Sequence, residues 1–384
     1  MSQLLNALEQ NRPQMLEWFE HMHRNPELSM KEDRTAQFIA ELVRSWGYEV
    51  ETGVGKHGVV ASLTNGSGPT IGMRADFDAL PIQEVNSLPY KSTVEGVAHL
   101  CGHDGHTTML LAAGHHLAQT RNFSGTVRLI FQPGEETMEG APAMISDGLF
   151  TRFPVDAVFA MHNMPGLELG HFYFTSGDVM AAVDNWEIVI TGKGSHGAMP
   201  ELGVDPVVVG SQLVLALQTI VSRNIAPAHR AVVTVGAFQS GQAGNVVAHT
   251  ATLRLSIRTT TPEDRELALN RVRTLTRSIS EAHGASAEIR EGVPGAVLTN
   301  HEDETQFALQ VARDTFGEDQ VHYPGPTFLG SEDFAFMLQE QKGSYLFIGN
   351  GDTPMVHHPE FTLNTDILHR GAAYWVALTE AYLK

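Results

Sequence analysis

The spacing of apolar residues predicts helices in the first part of the chain and alternating strands and helices after it. Apolar positions recur at helical spacing through residues 1–45, with a break at Arg24-Asn25-Pro26-Glu27. Short apolar runs then predict buried strands at 58–63, 70–74, 126–131 and 155–160. The apolar segment 107–117 predicts a helix between them. Strands and helices that alternate in this way indicate an α/β sheet with helices on both faces.

The pattern changes near residue 184. The predicted elements are a strand at 186–190, an apolar helix at 206–221, alternating strands at 231–238 and 246–257, a charged helix from Pro262 to about His283, and a strand at 285–290. This β-α-β-β-α-β order is that of a ferredoxin-like α+β unit. After Pro294 apolar helices and short strands return, such as 345–348. We therefore expect a domain at 185–294 inserted into a domain made of 1–184 and 295–384.

Composition narrows the class of protein. At 384 residues the chain is long enough for two or three domains. Its 42% hydrophobic and 18% charged residues are typical of a globular protein with a substantial core. The formal net charge of −19 argues against a broad surface for binding nucleic acid. We find no run of about 18 apolar residues, which predicts no membrane span.

The start of the chain and the cysteine content bear on the compartment. The N-terminal segment lacks the basic head and apolar run of a secretion signal. The single cysteine, Cys101, cannot form a disulfide within the chain. Both features lead us to expect a cytoplasmic protein.

Several common catalytic motifs are missing from the sequence. Gly53-Val54-Gly55-Lys56-His57-Gly58 matches the dinucleotide-binding pattern, but a predicted strand follows it where a helix is required, so we interpret it as a turn. The sequence contains no G-x-S-x-G, no G-x-x-x-x-G-K-[ST] and no H-E-x-x-H. Serine hydrolases, P-loop proteins and thermolysin-like metalloproteases therefore lose their main signature.

Residue types that bind metals gather instead at the ends of predicted strands. They are Asp76 and Asp78 after the second strand, Glu135 and Glu136 after the third, His162 after the fourth, and Cys101 and His103 just before the helix. Each of them alone would more often be structural than a ligand. In open α/β sheets, however, ligands bind outside the carboxyl ends of the strands, so their joint occurrence predicts a metal site there.

Such a site suits hydrolysis. A divalent metal polarises a carbonyl and lowers the pKa of bound water to about 7. A carboxylate beside the metal, but not bound to it, can take the proton from that water and pass it to a leaving amine. Two adjacent glutamates allow this division of work. A thiolate with imidazoles indicates a transition metal, and leaves zinc, manganese, nickel and cobalt open.

Seven short motifs then identify a family. They are Arg74-Ala75-Asp76-Phe77-Asp78-Ala79-Leu80-Pro81, Cys101-Gly102-His103-Asp104-Gly105-His106, Gln132-Pro133-Gly134-Glu135-Glu136, Met161-His162-Asn163, Gly194-Ser195-His196-Gly197-Ala198, Ser331-Glu332-Asp333-Phe334 and His357-His358-Pro359. With these motifs in this order, the chain resembles the hippurate hydrolase and auxin-conjugate (IAA-amino acid) amidohydrolases. That family belongs to the wider group of two-metal aminoacylases and carboxypeptidases. The resemblance extends from about His21 to the C-terminus.

The resemblance implies a mixed-sheet peptidase domain with two divalent metal ions per subunit. Cys101 would bridge the ions, His103 and His162 would complete one site, and Glu136 and His357 the other, with His358 as the alternative to His357. Glu135 would be the general base and then the acid. Asp78 would orient a metal ligand. The wider group commonly has a histidine ligand where this chain has Asp76, and in this subfamily His103 takes its place.

The resemblance also assigns a role to the inserted domain, as a lid and dimerisation domain. His196 would contact the scissile carbonyl at the metal site of a neighbouring subunit, and Asn245 and Arg258 would hold the carboxylate of the substrate. The exposed edge strands of a ferredoxin-like sheet need to be covered or paired, which also favours a partner. We therefore expect a homodimer or homotetramer.

The sequence thus predicts a metal-dependent amidohydrolase that cleaves small N-acyl amino acids into a carboxylic acid and a free amino acid. A dipeptidase or carboxypeptidase of the same group remains an alternative, because it also cleaves an amide next to a free carboxylate. A non-catalytic metal-binding module is the other alternative. Glu135 argues against it, because a binding module has no need of an unligated carboxylate beside its metal.

Overall fold

The computed structural model describes residues 2–384. Its helices are α1 (Ser2–Gln10), α2 (Arg12–Arg24), α3 (Asp33–Ser45), α4 (His103–Thr120), α5 (Gly140–Ser146), α6 (Leu149–Arg152), α7 (Pro206–Thr219), α8 (Pro262–Ala282), α9 (Glu302–Phe316), α10 (Phe334–Glu340) and α11 (Leu368–Tyr382). Its strands are β1 (Glu49–Val54), β2 (Gly58–Asn65), β3 (Thr70–Asp76), β4 (Gly125–Gln132), β5 (Ala157–Met164), β6 (Phe172–Tyr173), β7 (Gly177–Met180), β8 (Ala182–Thr191), β9 (Ser195–His196), β10 (Ala231–Ser240), β11 (Val246–Val247), β12 (Thr250–Thr259), β13 (Ser286–Glu291), β14 (Leu298–Asn300), β15 (Val321–His322) and β16 (Gly343–Gly349).

The chain forms two compact units. The first contains the residues up to Gly177 together with 299–327 and 333–384, and the second contains 178–298 with 328–332. The predicted insertion at 185–294 lies within the second unit. The break predicted at residues 24–27 separates α2 from α3.

The first unit is built on an eight-stranded mixed sheet in the order β1-β2-β4-β3-β5-β16-β6-β15. Its centre is parallel, because β3 pairs in parallel with β4 and β5, and β5 pairs in parallel with β16. Strands β5 and β16 are buried along their whole length. Parallel strands covered on both faces need such continuous apolar runs, and these runs are what the sequence pattern detected. The predicted mixed α/β sheet is confirmed.

Helix α4 lies in the core of this unit. It begins at His103, four residues earlier than the apolar pattern predicted, and its side chains from His103 to Gly114 are all buried. Helix α11 packs against it. The prediction missed the first turn because polar residues occupy it. Their burial comes from contacts with other parts of the chain, and a pattern of apolar residues does not detect it.

The second unit has a four-stranded antiparallel sheet in the order β10-β12-β8-β13. With α7 after β8 and α8 after β12, this is the predicted β-α-β-β-α-β order. Alternating side chains of β8 and β12 form the core with the inner faces of both helices. The single strand predicted at 246–257 is wrong. The segment divides into β11 and β12 because β11 pairs with β9, whereas β12 pairs with β8 and β10.

One helical segment in the described residues is long and apolar enough to cross a membrane, judged by length and composition only. It is Pro206–Asn224, which contains α7 and the π-helical turn after it. Val209, Leu213 and Leu217 on one side of it belong to the core of the second unit. Val207, Val208 and Leu215 on the other side are exposed.

Candidate functional site

The carboxyl ends of three neighbouring parallel strands bring most of the predicted site together. Strand β3 lies between β4 and β5 and ends at Asp76. Strand β4 ends two residues before Gly134, and Glu135 and Glu136 follow that glycine. His162 lies near the carboxyl end of β5. The topology therefore places these side chains together at the carboxyl ends of the central strands, as the sequence predicted.

The start of α4 brings in the thiol and a further imidazole. Gly102 lies between Cys101 and His103 with φ of 100°, a conformation that side chains rarely adopt. A Cβ at this position would lie 2.1 Å from Oδ1 of Asn163 on β5. Glycine is therefore required for the chain to pass this close to the end of β5 between Cys101 and His103.

Five predicted ligands form one group, which we refer to as the central cluster: Cys101, His103, Glu136, His162 and His357. Their ligand atoms form two trios, Cys101 with His103 and His162, and Cys101 with Glu136 and His357, with all atoms of a trio within 4.8 Å of one another. Sγ of Cys101 lies 3.4 Å from Nε2 of His162. Nε2 of His357 lies 3.3 Å from Oε2 of Glu136. Cys101 belongs to both trios, which is the arrangement of a bridging ligand.

The second ring nitrogen of each buried histidine is held by a neighbour. Nδ1 of His103 lies 3.0 Å from Oδ1 of Asp78, and Nδ1 of His162 donates to the backbone carbonyl of Asn163. Metal-binding histidines usually have such a partner, which fixes the tautomer and the ring orientation. The Nε2 atoms of both rings are left to face the central cluster.

Unmet hydrogen-bonding capacity shows that the cluster fits metal ions. Among the described residues, neither Nε2 of His103 nor Oε1 of Glu136 has a hydrogen-bond partner, although both atoms are buried. Leaving a buried polar atom unpaired costs about 1–3 kcal/mol. Divalent metal ions would satisfy both atoms, and a thiolate with imidazoles and a carboxylate is a suitable donor set for them.

The pKa values of three residues of the central cluster are shifted from their usual range. Burial and the charge of Glu136 raise the pKa of Cys101. Burial alone would lower the pKa of His103, but the charges of Asp76 and Cys101 hold it well above its usual range. Burial and the charge of His106 hold the pKa of His162 well below its usual range. Because the raised pKa keeps the thiol of Cys101 protonated, binding of a metal ion as a thiolate would release that proton.

Glu135 lies beside the cluster and is buried. Its Oε2 is 3.9 Å from Nε2 of His103, the same distance that separates this nitrogen from Oε1 of Glu136. The two glutamates thus approach one imidazole together. Glu135 is close enough to the central cluster to exchange a proton with a molecule bound there.

The structure also distinguishes the two adjacent histidines near the C-terminus. His357 joins the central cluster, and its backbone adopts φ of 69°. Its amide donates to the carbonyl of Leu100 over 2.7 Å, which ties it to the residue before Cys101. Both side chains are exposed, but Nδ1 of His358 accepts a hydrogen bond from the amide of Glu360 instead of joining the cluster.

Some residues that support the site were not singled out from the sequence. Asp76 receives hydrogen bonds from His106 and from the buried guanidinium of Arg74, over 2.6 and 2.8 Å. Ser29 and Glu32, from the loop between α2 and α3, bond to Asp78 and Gly134. Arg74 and His106 lie inside the recognised motifs, which was a usable signal. Ser29 and Glu32 come from a segment whose only visible feature was a helix break.

The predicted substrate-binding residues lie in the second unit. His196 on β9 pairs with Val246 on β11 and is exposed. The exposed Asn245 accepts a hydrogen bond from the amide of Gly197 over 2.8 Å, so His196 and Asn245 lie close together. Arg258 lies on β12, where its guanidinium donates to the carbonyl of Leu329 over 2.7 Å.

A second group of ligand-type residues lies at the edge of the large sheet and was not predicted. It consists of Glu168, His171 and His322, which we refer to as the edge cluster. Nδ1 of His171 lies 3.0 Å from Nε2 of His322 and 3.4 Å from Oε2 of Glu168.

Known proteins resemble the chain over almost its whole length. It is 42% identical to hippurate hydrolase of Campylobacter jejuni over 364 residues, which are 94% of this chain and 95% of that protein. It is 34% identical to IAA-amino acid hydrolase ILR1-like 2 of Arabidopsis thaliana, over 97% of this chain and 87% of that protein. YXEP of Bacillus subtilis, a dinuclear metal binding peptidase from the M20 family, is 31% identical, with a TM-score of 0.84 over 98% of this chain and 99% of that chain.

A family profile matches most of the chain. Residues 72–381 match the profile of Peptidase family M20/M25/M40, which confirms the resemblance inferred from the seven motifs. The chain therefore belongs to Peptidase family M20/M25/M40, and it is a metal-dependent amide hydrolase.

Proposed function

We propose that the protein hydrolyses N-acyl amino acids to a carboxylic acid and a free amino acid. The observation that carries the proposal is the double membership of Cys101 in two ligand trios, with the buried carboxylate of Glu135 beside them. The names of both relatives support the substrate class, since hippurate and IAA-amino acids are amides between a carboxylic acid and an amino acid.

The ligands of two divalent metal ions would be Cys101, His103, Glu136, His162 and His357. When bound, the metals supply electrophilic activation of the amide carbonyl and of the attacking water. Zinc, manganese, nickel and cobalt all suit this donor set. Asp78 keeps His103 oriented through its Nδ1, at 3.0 Å.

Glu135 would move the proton in this reaction. Its carboxylate accepts a proton from water as the water attacks the amide carbon, and then donates it to the departing amine nitrogen. A general base placed in this way contributes about 10²–10⁴-fold to the rate. His196 would donate a hydrogen bond to the oxygen that becomes negative, and Asn245 and Arg258 would bind the substrate carboxylate.

The test is a hydrolysis screen on protein stripped of metal and reloaded with each metal in turn. The substrates are N-benzoyl, N-indoleacetyl, N-acetyl and long-chain N-acyl amino acids, with unblocked dipeptides beside them. We expect amide cleavage of at least one N-acyl series, dependent on metal and absent in chelator. Faster cleavage of dipeptides than of any N-acyl amino acid would favour a dipeptidase, and no cleavage with two metals bound would favour a binding module.

We further propose that the second unit joins two copies of the chain. Strand β10 lies at one edge of its sheet, so within residues 2–384 no strand pairs with its outer side. Val232 and Phe238 on β10 and the outer face of α7, where Leu215 is 72% exposed, add exposed apolar surface. Edge pairing around a two-fold axis would cover both features in one interface.

Mixing inactive subunits tests whether the partner completes the active site. His196→Ala subunits are mixed with Glu135→Gln subunits under conditions that allow exchange. If His196 acts on the neighbouring copy, each mixed dimer regains one site with intact Glu135 and intact His196, and activity returns. No recovery in verified mixed dimers would place His196 in its own subunit's reaction, and a fully active monomer would end the dimer proposal.

A further inference from the structure

The loop between α2 and α3, residues 25–32, reaches the back of the central cluster with two side chains. Ser29 donates a hydrogen bond from Oγ to Oδ2 of Asp78 over 2.7 Å. Glu32 accepts one at Oε1 from the amide of Gly134 over 2.8 Å. Gly134 directly precedes Glu135 in the chain. Asp78 accepts a hydrogen bond from the amide of Glu136.

Glu32 is fully buried. Its Oε1 accepts a second hydrogen bond from the amide of Met30, also over 2.8 Å. The same oxygen therefore joins its own loop to the turn after β4. Its Oε2 is buried and has no hydrogen-bond partner among residues 2–384. A carboxyl buried at this cost needs a reason, and the described contacts point to the turn at Gly134.

The turn at Gly134 decides where Glu135 and Glu136 point. Gly134 adopts φ of 62°, and a Cβ there would lie 2.6 Å from the sulfur of Met30. Met30 itself has φ of 61°, which is unusual for a residue other than glycine. Two chain segments in left-handed conformations thus meet here, and Glu32 bonds to both of them.

Asp78 ties the loop to Glu136 by a second route. Its Oδ2, which accepts the hydrogen bond of Ser29, also accepts one from the amide of Glu136 over 3.0 Å. Its Oδ1 faces Nδ1 of His103. Ser29 therefore holds a carboxylate that orients one proposed metal ligand by its ring and another by its backbone.

We propose that Glu32 is a positioning residue for the hydrolysis reaction. By holding the amide of Gly134, it fixes the turn that presents Glu135 to the water and Glu136 to the metals, and Ser29 supports the same turn through Asp78. The proposal rests on the proposed function of Glu135 and Glu136.

The charge of Glu32 suggests how to test it. Burial and the negative charge of Asp78 raise the pKa of Glu32 to about 7. The contacts require an acceptor at Oε1, and they do not require a full negative charge. A glutamine keeps that acceptor in place, whereas an alanine removes it.

The experiment compares Glu32→Ala, Glu32→Gln and Glu27→Ala in the metal-loaded enzyme. Glu27 is a matched control in the same loop, because its carboxylate bonds to Arg34 and caps α3 at the amide of Thr35 over 2.8 Å, away from the Gly134 turn. We measure kcat and KM on a substrate that wild type cleaves, metal affinity by competition with a chelator, and Tm. Outer hydrogen bonds at metal sites typically affect activity or metal affinity by about 10–100-fold.

We expect Glu32→Ala to lower kcat or metal affinity by about 10–100-fold with little change in KM. Glu32→Gln should retain most of the wild-type kcat and metal affinity. Glu27→Ala should lower Tm and leave kcat and metal affinity unchanged. Wild-type kcat and wild-type metal affinity in Glu32→Ala would overturn the proposal, as would equal losses in all three variants. If Glu32→Ala does not fold, Ser29→Ala is compared with wild type by the same criteria.

Failure of the proposed function has a different signature. If wild type cleaves no amide in the screen, kcat cannot be compared, and metal affinity alone tests the role of Glu32. A weaker affinity in Glu32→Ala that Glu32→Gln restores would then still support positioning of Glu136.

Discussion

The central cluster and the edge cluster both bring histidines and glutamate close together, yet their surroundings differ. In the edge cluster, Nδ1 of His171 pairs with Nε2 of His322 at 3.0 Å, and the ring of His322 also stacks on Tyr173 with ring centroids 4.5 Å apart. Glu168 projects into solvent, with 68% of its side chain exposed. In the central cluster, the rings of His103 and His162 are buried and held from behind.

The difference shows what distinguishes a metal site from a mere gathering of ligand-type residues. Among residues 2–384, Nε2 of His103 and Oε1 of Glu136 in the central cluster are buried without hydrogen-bond partners. In the edge cluster, one ring nitrogen of His171 pairs with one of His322. The electrostatics differ as well. Carboxylate and thiolate charges hold the pKa of His103 well above its usual range against burial, whereas burial lowers the pKa of His171. We therefore expect the central cluster to bind metals and the edge cluster to bind none.

The largest expected effect is on turnover. Glu135→Gln should keep the metals and lose about 10²–10⁴-fold in kcat, because an amide can hydrogen-bond to water but cannot accept its proton. Glu168→Gln makes the same chemical change in the edge cluster and should leave kcat unchanged. Rate and metal content are measured on the same samples. Near-normal turnover in Glu135→Gln would remove Glu135 as the base.

The next effect is on metal affinity. Cys101→Ser should weaken binding of both ions by more than the roughly 10–100-fold typical of losing an outer hydrogen bond, because a hydroxyl is harder to deprotonate than a thiol and Cys101 belongs to both trios. His322→Gln should leave metal affinity and metal content unchanged. Chelator competition measures both. A loss of one metal equivalent in His322→Gln would show that the edge cluster also binds metal, and would break the comparison.

Alkylation of Cys101 gives an independent check of the same assignment. As a thiolate ligand, Cys101 should be protected from iodoacetamide in the metal-loaded protein and should react after chelation. Rapid alkylation of loaded protein without release of metal would contradict a ligand role.

The sequence predicted that the residues of the central cluster lie close together, because most of them occupy strand ends and all lie in the motifs. Their roles as ligands stay predictions. Regular topology converts position along a strand into position in space, so Glu135, Glu136 and His162 had to meet once the parallel order was right. His357 could not be placed this way, since a long irregular segment carries it, and only the resemblance identified it. The edge cluster escaped prediction because His171 and His322 lie 151 positions apart in the chain and meet through two-residue strands that have no readable pattern.

The supporting residues were hidden for a different reason. Glu32 contacts the site through two backbone amides and Ser29 through one carboxylate. One charged residue in a polar loop carries no sequence signal of its burial. Boundaries failed where tertiary contacts outweighed periodicity, as at the polar first turn of α4 and at the division of β11 from β12. The sequence therefore describes the repeating parts of the fold and the motif residues of the site, whereas the contacts that brace the site come only from the structure.

The smallest expected effect is on stability, and it sets a histidine near the central cluster against one in the edge cluster. His23 is buried, with Nδ1 at 2.7 Å from Asp104 and Nε2 at 3.4 Å from Glu84. Burial lowers its pKa, but the hydrogen bonds and charges of the two carboxylates prevail and raise it to about 9. Since the pKa is higher in the folded than in the unfolded protein, this stabilisation is complete below about pH 6.5 and is lost as the pH rises through about 9.

Urea unfolding of metal-free wild type, His23→Gln and His171→Gln from pH 5 to 10 tests the contrast. The difference in unfolding free energy between wild type and His23→Gln should be largest at low pH and should shrink by about 3 kcal/mol by pH 10, as a pKa of about 9 in the folded protein implies. His171 has the opposite sign, because its lowered pKa makes the folded protein resist protonation, so wild type should lose a little stability relative to His171→Gln as the pH falls below about 6.5. A gap for His23→Gln that does not change with pH would mean that His23 is neutral between its two carboxylates. The same pH trend in both variants would remove the electrostatic difference between the two regions.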